Sequence, residues 1–279
     1  MRIRIRHEIT QRLEPGTRNM AVTVRLTPRP HEGQFITRWS LDLNSDCRLT
    51  PQEDAFGNLC HTFTVDGPAE RLSLIAEGEV ETQDTTGIVR GTVERFPPSL
   101  FLRQTDLTEP TSAVGDFAAR VQEPSGDILA RLHALMVLVH EAVEEQDGPA
   151  MGDPLGADAA LAAGKACSAG IAHLFTAAAR SLGLPARHIS GYVAPEGAKE
   201  GEGATRHWAE AYAAGIGWIS FDAGRNLCGT EHYVRLAVGL DAMGVAPLRS
   251  TGLELEERVS ALDGRGPLKV LQAQSQGQN

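Results

Sequence analysis

The spacing of apolar residues changes once along the chain, near residue 100, and this change most limits the folds that are possible. Before that point apolar residues alternate with polar ones, as Ile3 and Ile5 alternate with arginines; this pattern is typical of β-strands with one buried face. Beyond it they recur at helical spacing, first over residues 126–146. A chain of 279 residues is long enough for two domains. We therefore expect an α+β protein, with a β domain over residues 1–100 and a second domain over residues 101–279.

Turn signals divide the first hundred residues into several short strands. Glycine and proline clusters at 14–16, 28–30 and 66–68 separate runs of alternating apolar residues. Short strands at this spacing predict a β-sandwich-like domain. Pro97 and Pro98 remove two backbone donors, so we expect the connection between the domains there.

The second domain is predicted to hold helices followed by strands. Gly183 and Pro185 end an alanine-rich helix that begins near Cys167. Loops are expected at 147–156 and 195–204, and a polar tail from residue 272. The expected elements are helices at 126–146, 159–163 and 167–182 and strands at 186–193, 208–213, 217–222 and 232–240.

Charge and hydropathy indicate a cytoplasmic protein that binds neither nucleic acid nor membranes. The net charge is −10 and no block of basic residues is present, so polyanions are repelled. No apolar run approaches the 18 residues of a membrane-spanning helix. The opening MRIRIRHEIT alternates basic and apolar residues, unlike the continuous apolar run of a signal peptide.

The four cysteines are expected to be reduced thiols. Cys47, Cys60, Cys167 and Cys228 lie far apart and form no CxxC pair. In a chain without a secretory signal, isolated cysteines favour free thiols over disulfides. This spacing also argues against a zinc site, and we expect no metal.

One cysteine, one histidine and one aspartate follow each other in an order that suits thiol chemistry. Cys167 stands at a helix start, where unpaired amides and the helix dipole favour a thiolate. A thiol nucleophile also needs an imidazole as base and a carboxylate that holds the imidazole. His207 at a strand start and Asp222 at the end of the next strand are candidates for these roles.

Short motifs spread over nearly the whole chain match one family. They are RLTP at 25–28, DAFGN at 54–58, LFLRQT at 100–105, AHLF at 172–175, LGLPAR at 182–187, SGY at 190–192, WAEA at 208–211, GW at 217–218, FD at 221–222, YVR at 233–235 and GLD at 239–241. On these motifs the chain resembles the bacterial transglutaminase-like proteins that carry an N-terminal β domain.

The resemblance implies a papain-like core in which a nucleophile helix packs on an antiparallel sheet. It implies acyl chemistry on amides through a thioester, either hydrolysis of a peptide or transfer to an amine, without metal or organic cofactor. The ligand would be a peptide or another amide-bearing molecule. Protein partners would be an active paralogue or an ATP-grasp-type ligase, in a system that makes or trims a small peptide.

The chain departs from the family pattern at two catalytic positions. The family nucleophile lies five residues before His173, which is Ser168 here, one residue after Cys167. The family histidine lies two residues before the strand tryptophan, which places Arg206 there and His207 one residue late. A shift of one residue turns a helical side chain by about 100°. In a strand, the same shift moves the side chain to the other face.

Three interpretations of this site remain open. In the first, Ser168, Arg206 and Asp222 occupy the catalytic positions and form no working triad, because arginine cannot act as a base; Arg206 then pairs with Asp222 or binds a carboxylate. In the second, a β-bulge turns His207 inward and Cys167, His207 and Asp222 form the active triad. In the third, Ser168 is retained with a different base.

Four further residues are candidates for the cleft. Trp208 and Glu210 follow the displaced histidine on its strand, His173 lies in the nucleophile helix, and Tyr192 lies on the strand after it. Each also has a simpler interpretation as a packed or hydrogen-bonded core residue.

Overall fold

The structure is a computed structural model that describes residues 1–44, 47, 49–121, 126–146, 154–195, 204–250 and 255–263. Most of the loops expected at 147–156 and 195–204, and the whole tail expected from residue 272, lie outside the described residues. Within them, strands dominate the first ninety residues, while helices first appear close to residue 100, as the periodicity predicts.

The described strands are β1 (Arg2–Arg12), β2 (Met20–Thr27), β3 (Gln34–Leu43), β4 (Thr50–Glu53), β5 (Leu59–Val65), β6 (Arg71–Thr82), β7 (Ile88–Val89), β8 (Glu144–Glu145), β9 (Lys165–Ala166), β10 (Ala186–Val193), β11 (Ala204–Ala213), β12 (Gly217–Asp222), β13 (Leu227–Cys228), β14 (Tyr233–Gly239), β15 (Leu248–Arg249) and β16 (Leu255–Asp263). The helices are a 3-10 helix (Pro98–Leu102), α1 (Ser112–Ala118), α2 (Ile128–Ala142), α3 (Ala157–Ala163) and α4 (Ser168–Ser181).

Two four-stranded antiparallel sheets form the β-sandwich that the alternating pattern predicts. Their strand orders are β16-β1-β6-β3 and β15-β2-β5-β4. Apolar side chains from both sheets, such as Ile5 and Val24, meet in one core. The arginines of β1 point outward, where Arg4 pairs with Glu79 of β6. The alternation of the opening residues is thus explained by one buried and one charged face.

The last two strands return to the N-terminal sheets. β15 pairs with β2, and β16 pairs with β1 from Ile3 to Gln11. Local patterning did not predict this return, because a strand partner more than two hundred residues away leaves no mark on periodicity. The division of the chain at residue 100 stays a prediction; the strand pairing adds that the second range contributes two strands to the sheets of the first.

The second domain has the α+β architecture expected for a papain-like core. Its sheet runs β13-β12-β11-β10-β14 in antiparallel order, with β7 beside β12. Helix α4 packs on β10 and β11, and α1, α2 and α3 pack around α4. From Ala169 to Arg180 every residue of α4 is buried, so small alanines are needed where neighbours approach from several sides. In the part of the chain that is described, no helix is both long and apolar enough to cross a membrane.

Two side-chain amides of the sandwich region close the edge of the core sheet at β14. Gln34 donates to the carbonyl of Arg235 and accepts from its N–H, at 2.9 and 2.7 Å. Asn58 does the same with Val238, at 2.7 and 2.8 Å. Asp54 holds Asn58 in place by accepting from its side-chain amide at 2.9 Å. The DAFGN motif therefore joins the two parts of the molecule.

Candidate functional site

The expected nucleophile helix begins where the sequence predicts. Cys167 is the N-cap residue of α4 and Ser168 is its first helical residue, and both are half-buried. The Cys167 side chain makes no capping hydrogen bond. Ser168 Oγ accepts from the backbone N–H of His207 at 3.3 Å, so the start of the helix lies against β11.

Arg206 occupies the position that the family gives to its histidine, and it is bound to Asp222. Its Nη2 donates to Asp222 Oδ1 at 2.7 Å, and its Nε donates to Oδ2. Two parallel N–H···O bonds of this kind are the strongest geometry that an arginine and a carboxylate can adopt. Arg206 is 7% exposed and Asp222 2% exposed, so water does not weaken the pair.

A second carboxylate and a phenol complete the cluster. Glu145 on β8 accepts from Arg206 Nη1 and Nη2 at 2.6 and 2.7 Å. Tyr233 donates to Asp222 Oδ2 at 2.7 Å. A Cβ at Gly224 would collide with Glu145 Oε2 and crowd Arg206 Nη2, so a larger residue there would displace this pair. We call Glu145, Arg206, Asp222 and Tyr233 the arginine cluster.

Arg206 and Tyr233, the two proton donors of the arginine cluster, cannot act as a base toward a thiol at neutral pH. Burial alone would lower the pKa of Arg206, but hydrogen bonds and charges from Asp222 and Glu145 outweigh burial and raise that pKa. Burial, followed by the charge of Asp222, also raises the pKa of Tyr233. Arg206 and Tyr233 thus keep their protons at neutral pH, and Asp222 accepts hydrogen bonds from both.

His207 points to the opposite face of β11, toward His188 and the middle of helix α4. Its Nδ1 lies 2.9 Å from Nε2 of His188 on β10. His188 packs in turn on His173 of α4, with ring centroids 4.7 Å apart, so the three imidazoles form a buried row. Burial, and then His173, His207 and Arg180, holds the pKa of His188 well below its ordinary value.

The structure brings together two of the expected site residues and separates the others. Arg206 and Asp222 are paired, as the first interpretation of the sequence expects. Cys167, His207 and Asp222 do not form a relay, because the His207 and Asp222 side chains lie on opposite faces of the sheet. No bulge interrupts the pairing of β10 with β11 at Arg206 or His207.

Trp208 and Glu210 share the face of Arg206, where Trp208 touches the arginine cluster and Glu210 binds two other arginines. Trp208 packs edge-on against Tyr233, with ring centroids 5.3 Å apart. Glu210 accepts from Arg187 at 2.6 Å and from Arg235 at 2.7 Å, and it is fully buried. Burial alone would raise the pKa of Glu210, but the two arginines outweigh burial and lower it to about 2. Both residues brace the sheet at this position.

Tyr192 and His173 are structural residues in this arrangement. Tyr192 lies at the sandwich, where its hydroxyl is 3.0 Å from His7 Nδ1, and it is fully buried. His173 Nδ1 donates to the carbonyl of Leu155 at 2.9 Å, and its Nε2 accepts from the N–H of Ala242 at 3.0 Å. Both side chains therefore lie as packed, hydrogen-bonded core residues, which is the simpler of the two interpretations of the sequence.

Two members of the arginine cluster were not singled out from the sequence as site residues. Glu145 lies in a pair of glutamates after α2, and no motif distinguishes it. Tyr233 belongs to the YVR motif but carried no assigned role. The sequence feature that could have indicated an acidic partner is Arg206, because a buried guanidinium requires carboxylates around it. Among the described residues, no group of three or more histidine, cysteine or acidic side chains is arranged to hold a metal ion.

Comparisons with known proteins agree with this architecture. The family model described as the bacterial transglutaminase-like N-terminal region matches residues 3–81, and the model of the transglutaminase-like superfamily matches residues 115–223. The uncharacterized protein ML0607 of Mycobacterium leprae is 26% identical over 240 residues, covering 81% of this chain and 84% of that protein.

One solved structure shows the same fold, and a second is more distantly similar. A protein of Cytophaga hutchinsonii, described as a candidate cysteine protease, superposes with a TM-score of 0.72 at 19% identity, covering 96% of this chain and 92% of its own. The periplasmic domain of TgpA from Pseudomonas aeruginosa matches with a TM-score of 0.37 at 15% identity, over 79% of this chain and 90% of that domain. The two family models together span most of the chain. The chain therefore belongs to the transglutaminase-like superfamily and carries the bacterial N-terminal region of that family.

Proposed function

We propose that this protein is a non-catalytic member of its superfamily that binds a peptide or docks to a protein partner. The pairing of Arg206 with Asp222 carries the proposal, because it uses the carboxylate that would otherwise orient a catalytic imidazole. Ser168 at the nucleophile position then lacks a base, and a serine without a base is a poor nucleophile.

The binding role rests on what the architecture retains. The N-terminus of α4, with half-buried Cys167 and Ser168, still lies against β11 as in a papain-like core. By family resemblance the ligand is a peptide or amide-bearing molecule. The partner is an active paralogue or an ATP-grasp-type ligase in a cytoplasmic system that makes or trims a small peptide.

The test is the reactivity of each cysteine toward iodoacetamide from pH 5 to 9, read by peptide mapping. We expect Cys167 to be alkylated slowly at pH 6, and His207→Ala to leave its alkylation rate unchanged. Fast alkylation at pH 6 that depends on His207 would establish a thiolate–imidazolium pair and overturn the proposal. Cys60 is the internal control, because burial raises the pKa of its thiol to about 11.

A second measurement addresses binding directly. A fluorescein-labelled peptide that contains one glutamine is titrated with the protein, and anisotropy and peptide mass are followed together. Binding without change of mass, abolished by Ser168→Phe at the helix start, supports the proposal. Loss of ammonia from the peptide, or its cleavage, would show that the site is active.

A further inference from the structure

A cavity of about 530 Å³ opens beside α4, apart from the arginine cluster. It is lined by Thr105, Asp106, Leu107, Pro154, Asp241 and Met243. Its volume lies within the range of pockets that hold ligands in proteins. His173, which bonds to residues next to the cavity, lies five residues after Ser168, roughly 8 Å along the helix.

Buried side chains hold the walls of this cavity from inside. His173 bonds to Leu155 beside one wall and to Ala242 in another, at 2.9 and 3.0 Å. Arg180 donates to Thr108 Oγ1 at 2.6 Å and to the carbonyl of Leu240 at 2.9 Å. These contacts fix the walls of the cavity, so little ordering is needed when a ligand binds.

The lining combines apolar surface with negative charge. Met243 is 47% exposed, which is unusual for a large apolar side chain, and Leu107 is half-buried. Asp106 and Asp241 add two carboxylates, and none of the six lining residues that the structure describes is basic. Arg180 lies behind the walls and directs its N–H groups at Thr108 and at backbone carbonyls. A cation attached to an apolar chain complements this surface.

We propose that this cavity docks a positively charged segment of a protein partner, with a lysine or arginine flanked by apolar residues. The inference rests on the proposed binding function and names the chemistry of the partner. The aliphatic stem of the basic side chain packs on Met243 and Leu107, and its charged end lies near Asp106 and Asp241. The net charge of −10 on the whole chain steers such a segment toward the protein.

The experiment titrates the full chain against three labelled pentapeptides that differ only at the centre, with leucine on both sides of lysine, glutamine or glutamate. We expect the lysine peptide to bind at least about tenfold more tightly than the other two at low salt. Asp106→Asn and Asp241→Asn should each weaken it about threefold, as is typical of an exposed ion pair. Met243→Ser should weaken binding of the lysine peptide without changing its salt dependence, because this substitution removes apolar contact only.

The matched control is Glu141→Gln, which removes one exposed carboxylate on α2, away from the cavity. It should leave the affinity unchanged. Equal weakening by Glu141→Gln would show attraction by net charge alone and overturn the proposal, as would equal binding of the glutamate peptide or no binding of the lysine peptide. Each of these results leaves the Cys167 alkylation test untouched, so this inference can fail while the proposed function stands.

Discussion

Arg206 and Asp222, on neighbouring strands, form a two-point ion pair in which Arg206 Nη2 lies 2.7 Å from Asp222 Oδ1. The aspartate stands where the family pattern expects it, and the arginine stands where the pattern expects histidine. A guanidinium binds the carboxylate as firmly as an imidazole does but cannot exchange a proton near neutral pH. Arg206 therefore supplies charge and hydrogen bonds at this position but no base near neutral pH.

Replacing Arg206 by leucine should destabilise the fold by about 3–5 kcal/mol, because Asp222 is left buried without its cation. The double variant Arg206→Leu with Asp222→Leu should recover part of this loss, since no unpaired charge remains. Urea unfolding measures both. The control is Arg6→Ala at an exposed pair with Glu77, which should cost below about 1 kcal/mol. A loss that small at Arg206 would contradict the buried-pair account.

Two substitutions should rebuild a reactive thiol. With Ser168→Cys and Arg206→His together, an imidazole stands beside Asp222 and Tyr233, and the introduced thiol stands at the start of α4. The two positions are neighbours because Glu145, which binds Arg206, lies on β8, and β8 pairs with β9 just before α4. We expect this thiol to be alkylated at least about tenfold faster at pH 6.5 than in Ser168→Cys alone. Adding Asp222→Asn should remove most of the gain. Equal rates in the single and double variants would mean that position 206 does not face the helix start.

Stability should fall as the pH drops below about 6.5, the ordinary pKa of histidine. Burial, followed by neighbouring positive groups, lowers the pKa of His188, so the unfolded chain takes up a proton there that the folded chain refuses. Above pH 6.5 His188 does not destabilise the fold in this way, because it is mostly neutral in both states. Below that pH the free energy of unfolding should fall by up to about 1.4 kcal/mol per pH unit for this residue.

His188→Gln isolates this effect. From pH 7 to 5, the free energy of unfolding should decline less steeply in the variant. The difference in slope should correspond to about one proton. An unchanged slope would mean that His188 is protonated in the folded protein as readily as in the unfolded one.

Asn58→Ala should destabilise the protein by about 2–3 kcal/mol, because it leaves the buried N–H and carbonyl of Val238 without partners. Asn44 offers a matched control: it makes the same kind of two-sided contact, with Ser73 and Arg71, but is exposed. Water replaces the lost bonds there, so Asn44→Ala should cost below about 1 kcal/mol. Equal costs would show that burial at β14 is not what makes Asn58 important.

Much of the fold was predictable because its signals are local. The alternation at Ile3 and Ile5 predicted the sandwich, and helical spacing with the stop at Gly183 predicted α4. The return of β16 to β1 was missed, since that pairing depends on residues far apart in the chain. For the same reason the capping of β14 by Gln34 and Asn58 could not be predicted.

The sequence by itself determined which groups can act at the site: an arginine at the histidine position, a serine at the nucleophile position and an aspartate in place. Strand alternation then required Arg206 and His207 to face opposite sides. Only the tertiary structure decided what each side holds, with Asp222, Glu145 and Tyr233 around Arg206 and His188 beside His207. Those partners come from separate elements, and packing of the sheet against its neighbours brings them together.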